Sequence, residues 1–202
     1  RQLVGISLKL VKKKAKAKEY NIKLPPDTDD HKLLSILLQG EKRGTFWSNK
    51  GATIIFDEGK FELRAGSAGG AIKGEIALKT ARGGGAGYGI MSDAMKLVFR
   101  KNIPDNAKIN QLAKKIVKGD KRSVTIFFEL YSNFYNNDTF ENFAKELSQK
   151  DVYWVGSKLA CLYVVYNVDK NTGTKANRWL TKIINYAGSK SEDSSAYVKV
   201  YE

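Results

Sequence analysis

The chain has 202 residues, of which 42% are hydrophobic and 11% aromatic, and its 35 Lys plus Arg against 21 Asp plus Glu give a formal net charge of +14. That length and composition exclude disorder as the default and suit one domain with a sizeable core. A single cysteine, Cys161, and a single histidine, His31, exclude a disulfide within these residues and a zinc site of the Cys/His kind.

Residues Leu3 to Val11 alternate, with Ile6, Leu8 and Leu10 on one face and Ser7 and Lys9 on the other, which predicts a strand. Lys12, Lys13, Lys14, Lys16 and Lys18 follow, so residues 1–18 carry +7, half of the net charge. Pro25 and Pro26 close this segment. Thr28-Asp29-Asp30 then precedes an apolar run ending at Gly40, a pattern of N-cap, helical stretch and C-terminal glycine that predicts a short helix beginning near His31. The runs Ala52–Asp57 and Lys60–Arg64 flank Glu58-Gly59 and predict a hairpin, and Ala71–Thr80 predicts a third strand after Gly69-Gly70.

Five glycines fall between Ala81 and Gly89, ahead of a helical pattern over Ile90–Arg100. Pro104 opens a second helix with Ile109, Leu112, Ala113, Ile116 and Val117 at helical spacing and Gly119 at its end. The stretch from Ser123 to Phe134 has strand propensity at Val124–Phe128 but a helical stripe of Phe127, Leu130, Tyr131 and Phe134, and we read it as helix. Thr139–Leu147 reads as a helix. Val152–Val168 stays open between strand, favoured by β-branched and aromatic content, and helix, favoured by length. Lys175–Ala187 is helical, residues 188–195 form a polar loop, and Ala196–Tyr201 is a terminal strand. These elements predict one α+β domain spanning residues 1–202, with a mixed sheet, an antiparallel three-stranded unit and a helix-rich second half.

Four constellations could carry chemistry. Ser7 and Lys9 stand on one face of the first strand. Metal-dependent nucleases hold Mg²⁺ with carboxylates and keep a lysine near the attacking water, and period-two spacing places a ligand and that lysine side by side. Glu75, Ala77 and Lys79 share a face of the third strand and offer a second carboxylate-plus-lysine pair, with Asp57 and Glu62 on neighbouring strands as further carboxylates. A surface salt-bridge face accounts for the same residues. The glycine-rich run lacks both Rossmann and P-loop spacing, so it is read as a loop that touches a nucleic-acid backbone through Lys79, Arg82 and main-chain amides, with Tyr88 available for stacking. The hydroxyl-rich segment 188–195 reads as an ordinary loop, and His31 as structural or solvent-facing.

On Ile6-Ser7-Leu8-Lys9 the chain resembles the PD-(D/E)xK nuclease-like superfamily of phage or viral type, in which this half-motif lies on a strand and an Asp lies on the strand before it. The resemblance covers about eleven residues. Ser7 stands where the family has a carboxylate, and the strand bearing the Asp would precede Arg1. It implies a restriction-endonuclease-like fold, Mg²⁺ as cofactor, Lys9 and Ser7 as catalytic residues with Glu75 and Lys79 as a second placement, and Glu75 with Asp57 as metal ligands.

Arg1 follows neither an initiator Met nor an apolar leader, so we expect the sequence to begin inside a longer protein. No apolar run approaches the length of a membrane span, and the cysteine usage fits a reducing, host-cell interior or a virus particle. A chain this basic is drawn to polyanions, and nucleic acid, DNA or RNA, is the expected partner, with Lys12, Lys13, Lys14, Lys16, Lys18, Arg82 and Tyr88 as its contacts. Two functions follow: a Mg²⁺-dependent nuclease hydrolysing phosphodiester bonds, or a non-enzymatic packaging protein of a virus particle or nucleoprotein assembly.

Overall fold

In a computed structural model the protein is α+β. It describes residues 16–20, 31–38, 46–47, 51–65, 73–78, 85–135, 138–190 and 197–201. Strand β1 (Lys16–Tyr20) pairs antiparallel with β7 (Tyr197–Tyr201). A second sheet has the order β2 (Leu33–Leu38), β3 (Ala52–Phe56), β4 (Gly59–Arg64), β5 (Lys73–Leu78) and β6 (Gly85–Gly87). Six helices follow β6 among the described residues: α1 (Tyr88–Phe99), α2 (Asn106–Val117), α3 (Lys121–Ser132), α4 (Phe140–Leu147), α5 (Val152–Asp169) and α6 (Thr174–Lys190). The antiparallel unit and the helix-rich second half stand as expected. The mixed sheet does not: every described pairing is antiparallel.

The predicted hairpin forms, but its turn is one residue earlier than Glu58-Gly59: Phe56 pairs with Gly59 across Asp57-Glu58. Period-two alternation explains its faces. Ile54, Phe56, Phe61 and Leu63 are buried, while Lys60 and Arg64 reach solvent. The buried face lies against α6, where the Phe61 ring centroid is 6.2 Å from that of Trp179. Gly51, just before β3, is required by contact rather than by conformation, since a Cβ there would come 1.7 Å from the carbonyl oxygen of Leu63.

One predicted helix is a strand. Residues 33–38 form β2, because their backbone finds tertiary partners stronger than the local capping signal. The His31 amide donates to Thr181 Oγ1 and the Leu33 amide to Asn177 Oδ1, both at 2.9 Å and both from α6, while the strand itself pairs with β3. A register shift between Leu33 and Ser35 marks a bulge, and Leu34 and Leu37 are left 63% and 52% exposed.

The helices obey their start signals. Asp105, Asp120, Thr139 and Asp151 each cap a helix by accepting backbone amides through the side chain. Gly119 ends the α2 segment at φ +77°. Helix α5 was open between strand and helix because it has no apolar stripe: Trp154–Leu162, Val164, Val165, Asn167 and Val168 are all buried. A helix apolar all round belongs in the middle of a fold, and α1, α2 and α3 contact it. Gly156 faces α2, where an added Cβ would sit in ordinary contact, 3.5 Å from the Ala113 methyl. The α6 indole of Trp179 donates to the Met91 carbonyl of α1 at 3.2 Å.

Gly51→Ala is expected to cost about 3 kcal/mol or more, since backbone rather than a movable side chain occupies the space. Gly87→Ala, where an added Cβ meets nothing within 4 Å, is the matched control. Urea unfolding of the two variants checks this, and equal midpoints would contradict it.

Candidate nucleic-acid interface

Of the sequence-predicted site residues, only Lys16, Lys18, Asp57, Glu75 and Tyr88 fall among the described ones. Ser7, Lys9, Lys12, Lys13, Lys14, Lys79 and Arg82 lie outside the described residues, as does the strand predicted over Leu3–Val11. Lys16 and Lys18 fall on β1, opposite Tyr201 and Lys199. Glu75 sits on β5 opposite Glu62 of β4. Asp57 follows Phe56, whose row continues through Gly59 to Leu78, so Glu75 is three rows away, roughly 10 Å along the strand before the spacing between strands is added. Two carboxylates on one Mg²⁺ need oxygens within about 4 Å of each other. Asp57 and Glu75 therefore do not fit a shared ion, a correction to the metal pair expected from the sequence.

Their neighbours explain what these carboxylates do. Asp57 Oδ1 accepts the Glu58 amide at 3.1 Å and lies 3.7 Å from His31 Nδ1. The His31 ring stands edge-on to Phe56 at 5.6 Å, so it braces the end of the hairpin. Glu62 is ion-paired along its own strand with Lys60 and Arg64. The Lys60 hydrogen bond, helped by both positive charges and opposed by burial, holds its carboxyl below the ordinary range. Among the described residues no three His, Cys, Asp or Glu side chains gather in a way that could hold a metal ion.

Tyr88 is a second correction. It is 4% exposed, and its hydroxyl donates to the Pro104 carbonyl at 2.8 Å, tying the start of α1 to the segment that leads into α2. Burial pushes its phenol well above the ordinary value. No face of this ring is available to a base. Gly85–Gly87 form β6, paired with β5, instead of a phosphate cradle, and residues 81–84 lie outside the described residues.

What sequence reading passed over is a second basic segment. Residues 100–122 hold eight basic side chains, Arg100, Lys101, Lys108, Lys114, Lys115, Lys118, Lys121 and Arg122, against Asp105 and Asp120, a net +6. With the +7 of residues 1–18 this accounts for 13 of the 14 net charges, leaving the rest of the chain nearly balanced. All eight basic residues are exposed. Helix periodicity puts Ile109, Ala113 and Ile116 of α2 inward and Lys108, Lys115 and Lys118 outward, with Lys114 beside them.

The two acids offset only part of this charge, eight cations against two, and both also serve helix starts, with Asp120 held ionised by Ser123 and in part by Lys115 and Arg122. Asp105 accepts the Lys108 amide at 2.8 Å. Asp120 accepts the Ser123 hydroxyl at 2.6 Å and the Ser123 amide at 2.9 Å, bonds that hold its carboxyl below the usual range. Lysines in the last turn of α2 complement the helix dipole, which explains Lys114 and Lys115 in part. Lys121 and Arg122 have the opposite relation. They occupy the first turn of α3, where the dipole disfavours cations and the only nearby acid among the described residues is the capping Asp120. Helix stability alone does not put them there.

A further group sits deeper. Lys158 of α5 is 2% exposed, with its Nζ 5.3 Å from the Phe46 ring centroid and 5.4 Å from that of Trp154. Trp47 stacks on the Trp154 indole at 5.4 Å, and Lys150 lies 5.4 Å from Trp154. Burial, reinforced by Lys150 and opposed by Cys161, pushes the Lys158 ammonium down to about 8, and burial likewise pushes the Cys161 thiol up to about 12. Aromatic faces are a fitting lining for a cation that has lost its water.

Neither the protein-family models, nor the curated proteins, nor the solved structures compared with this chain contain a match to it. Among the described residues no helix is long and apolar enough to cross a membrane.

Lys158 gives a pH test of this core. Below pH 8 folded and unfolded states both carry the proton, and the fold bears the cost of a buried ammonium. Between about 8 and 10.4 the unfolded lysine keeps a proton that the folded one has released, so this cost shrinks as pH rises. Lys158→Met is expected to be more stable than the parent at pH 7 by about 1–3 kcal/mol, with the difference narrowing through that window. Urea melts across the pH series check it, and a difference that does not change with pH would contradict it.

Proposed function

We propose that the protein binds nucleic acid and holds its phosphate backbone without cutting it, as a packaging component of a virus particle or nucleoprotein assembly does. The observation that carries this reading is the exposed, nearly unopposed basic surface of residues 100–122. Two of its cations stand at a helix end that electrostatics disfavours. Nucleic acid supplies regularly spaced phosphates, and each Lys or Arg that meets one releases a condensed counterion. The N-terminal lysines would add contacts of the same kind.

The surface suits backbone contact better than reading base edges in a major groove. The turn Lys118-Gly119-Asp120 joins two helices as a helix-turn-helix would, but the outward face of α3 carries the acidic Glu129 as well as Lys121 and Arg122, whereas the outward residues of α2 and the turn are richer in lysine. The nuclease alternative rests on Ser7, Lys9 and Lys79, which lie outside the described residues, while its pair Asp57 and Glu75 stands apart in the sheet.

The experiment is the salt dependence of affinity for a labelled oligonucleotide. The parent is expected to lose affinity steeply with salt, and the triple variant Lys114→Glu, Lys115→Glu, Lys118→Glu to bind at least tenfold more weakly near 0.1 M salt, with a log–log slope shallower by about 2–3. Reversing Lys170, Lys175 and Arg178, exposed elsewhere on the helices, is expected to change affinity much less. The labelled strand stays intact when Mg²⁺ is added. Binding that ignores salt, or equal losses from the two triple variants, would overturn the reading.

A further inference from the structure

Beside the α2–α3 turn, in the middle of the basic surface, is an open apolar slot of about 170 Å³. Its walls are Ile116 and Val117 of α2, Val124 of α3, and Phe140, Ala144 and Leu147 of α4, with Lys121 and Ser148 as the polar lining. Val117 is 41% exposed. Lys121 lines the slot, Lys118 lies within the adjoining turn and Arg122 follows Lys121, so its α2–α3 side carries cations.

That combination selects a partner. An occupant must present a small apolar face and carry negative charge beside it. An unpaired base in a nucleic-acid strand does both: its ring is flat and weakly hydrated, and phosphates flank it along the chain. Size agrees, since a cavity near 150 Å³ takes a benzene ring and this one would take a pyrimidine. Phe140 offers an aromatic surface, and Lys121 and the Ser148 hydroxyl oxygen can meet the polar edge of the base or its sugar. In a duplex the bases are stacked and paired, so only a single strand or a loop can fill the slot.

On this basis, and resting on the nucleic-acid reading above, we propose that the slot is a base-binding subsite. The protein then recognises unpaired strands by inserting a base, while Lys114, Lys118, Lys121 and Arg122 hold the flanking phosphates.

The test compares a labelled oligothymidylate with an abasic strand of the same length and charge, using fluorescence anisotropy at fixed low salt. The parent is expected to bind the thymidine strand about tenfold more tightly or better, the size of effect that stacking one base produces. Ala144→Phe, which fills the slot, is expected to bring the two strands to equal affinity. Val117→Gln, at a position already half in solvent, is expected to do the same without loading the core. If the parent binds both strands equally, the slot reads no base, although phosphate binding stands. If it binds neither strand at low salt, the nucleic-acid reading itself fails. Should an acidic peptide bearing Phe and Leu bind the parent more tightly than the thymidine strand and be lost in Ala144→Phe, the slot is a peptide site and the proposal is overturned.

Discussion

The burial of α5 governs the rest of the helical half. Its 18 residues have no polar stripe to turn toward water, so other elements have to contact it on several sides. Each of those elements spends its own apolar stripe in doing so. For α2 this commits Ile109, Ala113 and Ile116 to the interior, facing Gly156 of α5. The opposite face, with its lysines, is thereby fixed outward. The basic surface is thus a consequence of how the core closes, and its rigidity is that of a helix held against the centre of the fold.

Charge of one sign gathered on such a surface works against folding, because the cations repel one another. The chain limits this cost without neutralising the patch. Asp105 and Asp120 are turned to cap α2 and α3, and the last-turn lysines of α2 gain from its dipole. Lys121 and Arg122 gain nothing from the dipole of α3, and among the described residues Arg122 has only the capping Asp120 carboxylate to offset it. A local rule broken at an exposed position is what a binding surface leads one to expect. The apolar slot set among these cations extends the same logic from phosphate to base.

Much of the fold could be read directly from residues. The hairpin after β3, apart from a one-residue shift of its turn, and the stripes of α2, α3, α4 and α6 are local signals, and local signals are what periodicity and turn chemistry report. Two elements resisted for tertiary reasons. Residues 33–38 carry a helix-like start, but Thr181 and Asn177, about 150 residues away, bind their backbone and β3 supplies the ladder. Helix α5 shows no apolar stripe because its residues from Trp154 to Val168 are buried except for the half-buried Tyr163 and Tyr166. The site was less legible. Tyr88 looked available because it follows a glycine run, and only the packing shows its hydroxyl turned to Pro104. The carboxylates Asp57 and Glu75 share a sheet, but the register parts them. The second basic segment was visible in composition all along, yet its lysines are interleaved with the apolar stripe of α2, whereas residues 12–18 form an unbroken run.

The central claim is that the face of α2 and the turn after it meet the nucleic acid. Lysine acylation read by mass spectrometry, with and without a saturating oligonucleotide at low salt, tests it most directly. Shielding is expected at Lys108, Lys114, Lys115, Lys118 and Lys121, while Lys170 and Lys175 stay reactive. Unchanged reactivity at the first group, or shielding confined to the second, would contradict it.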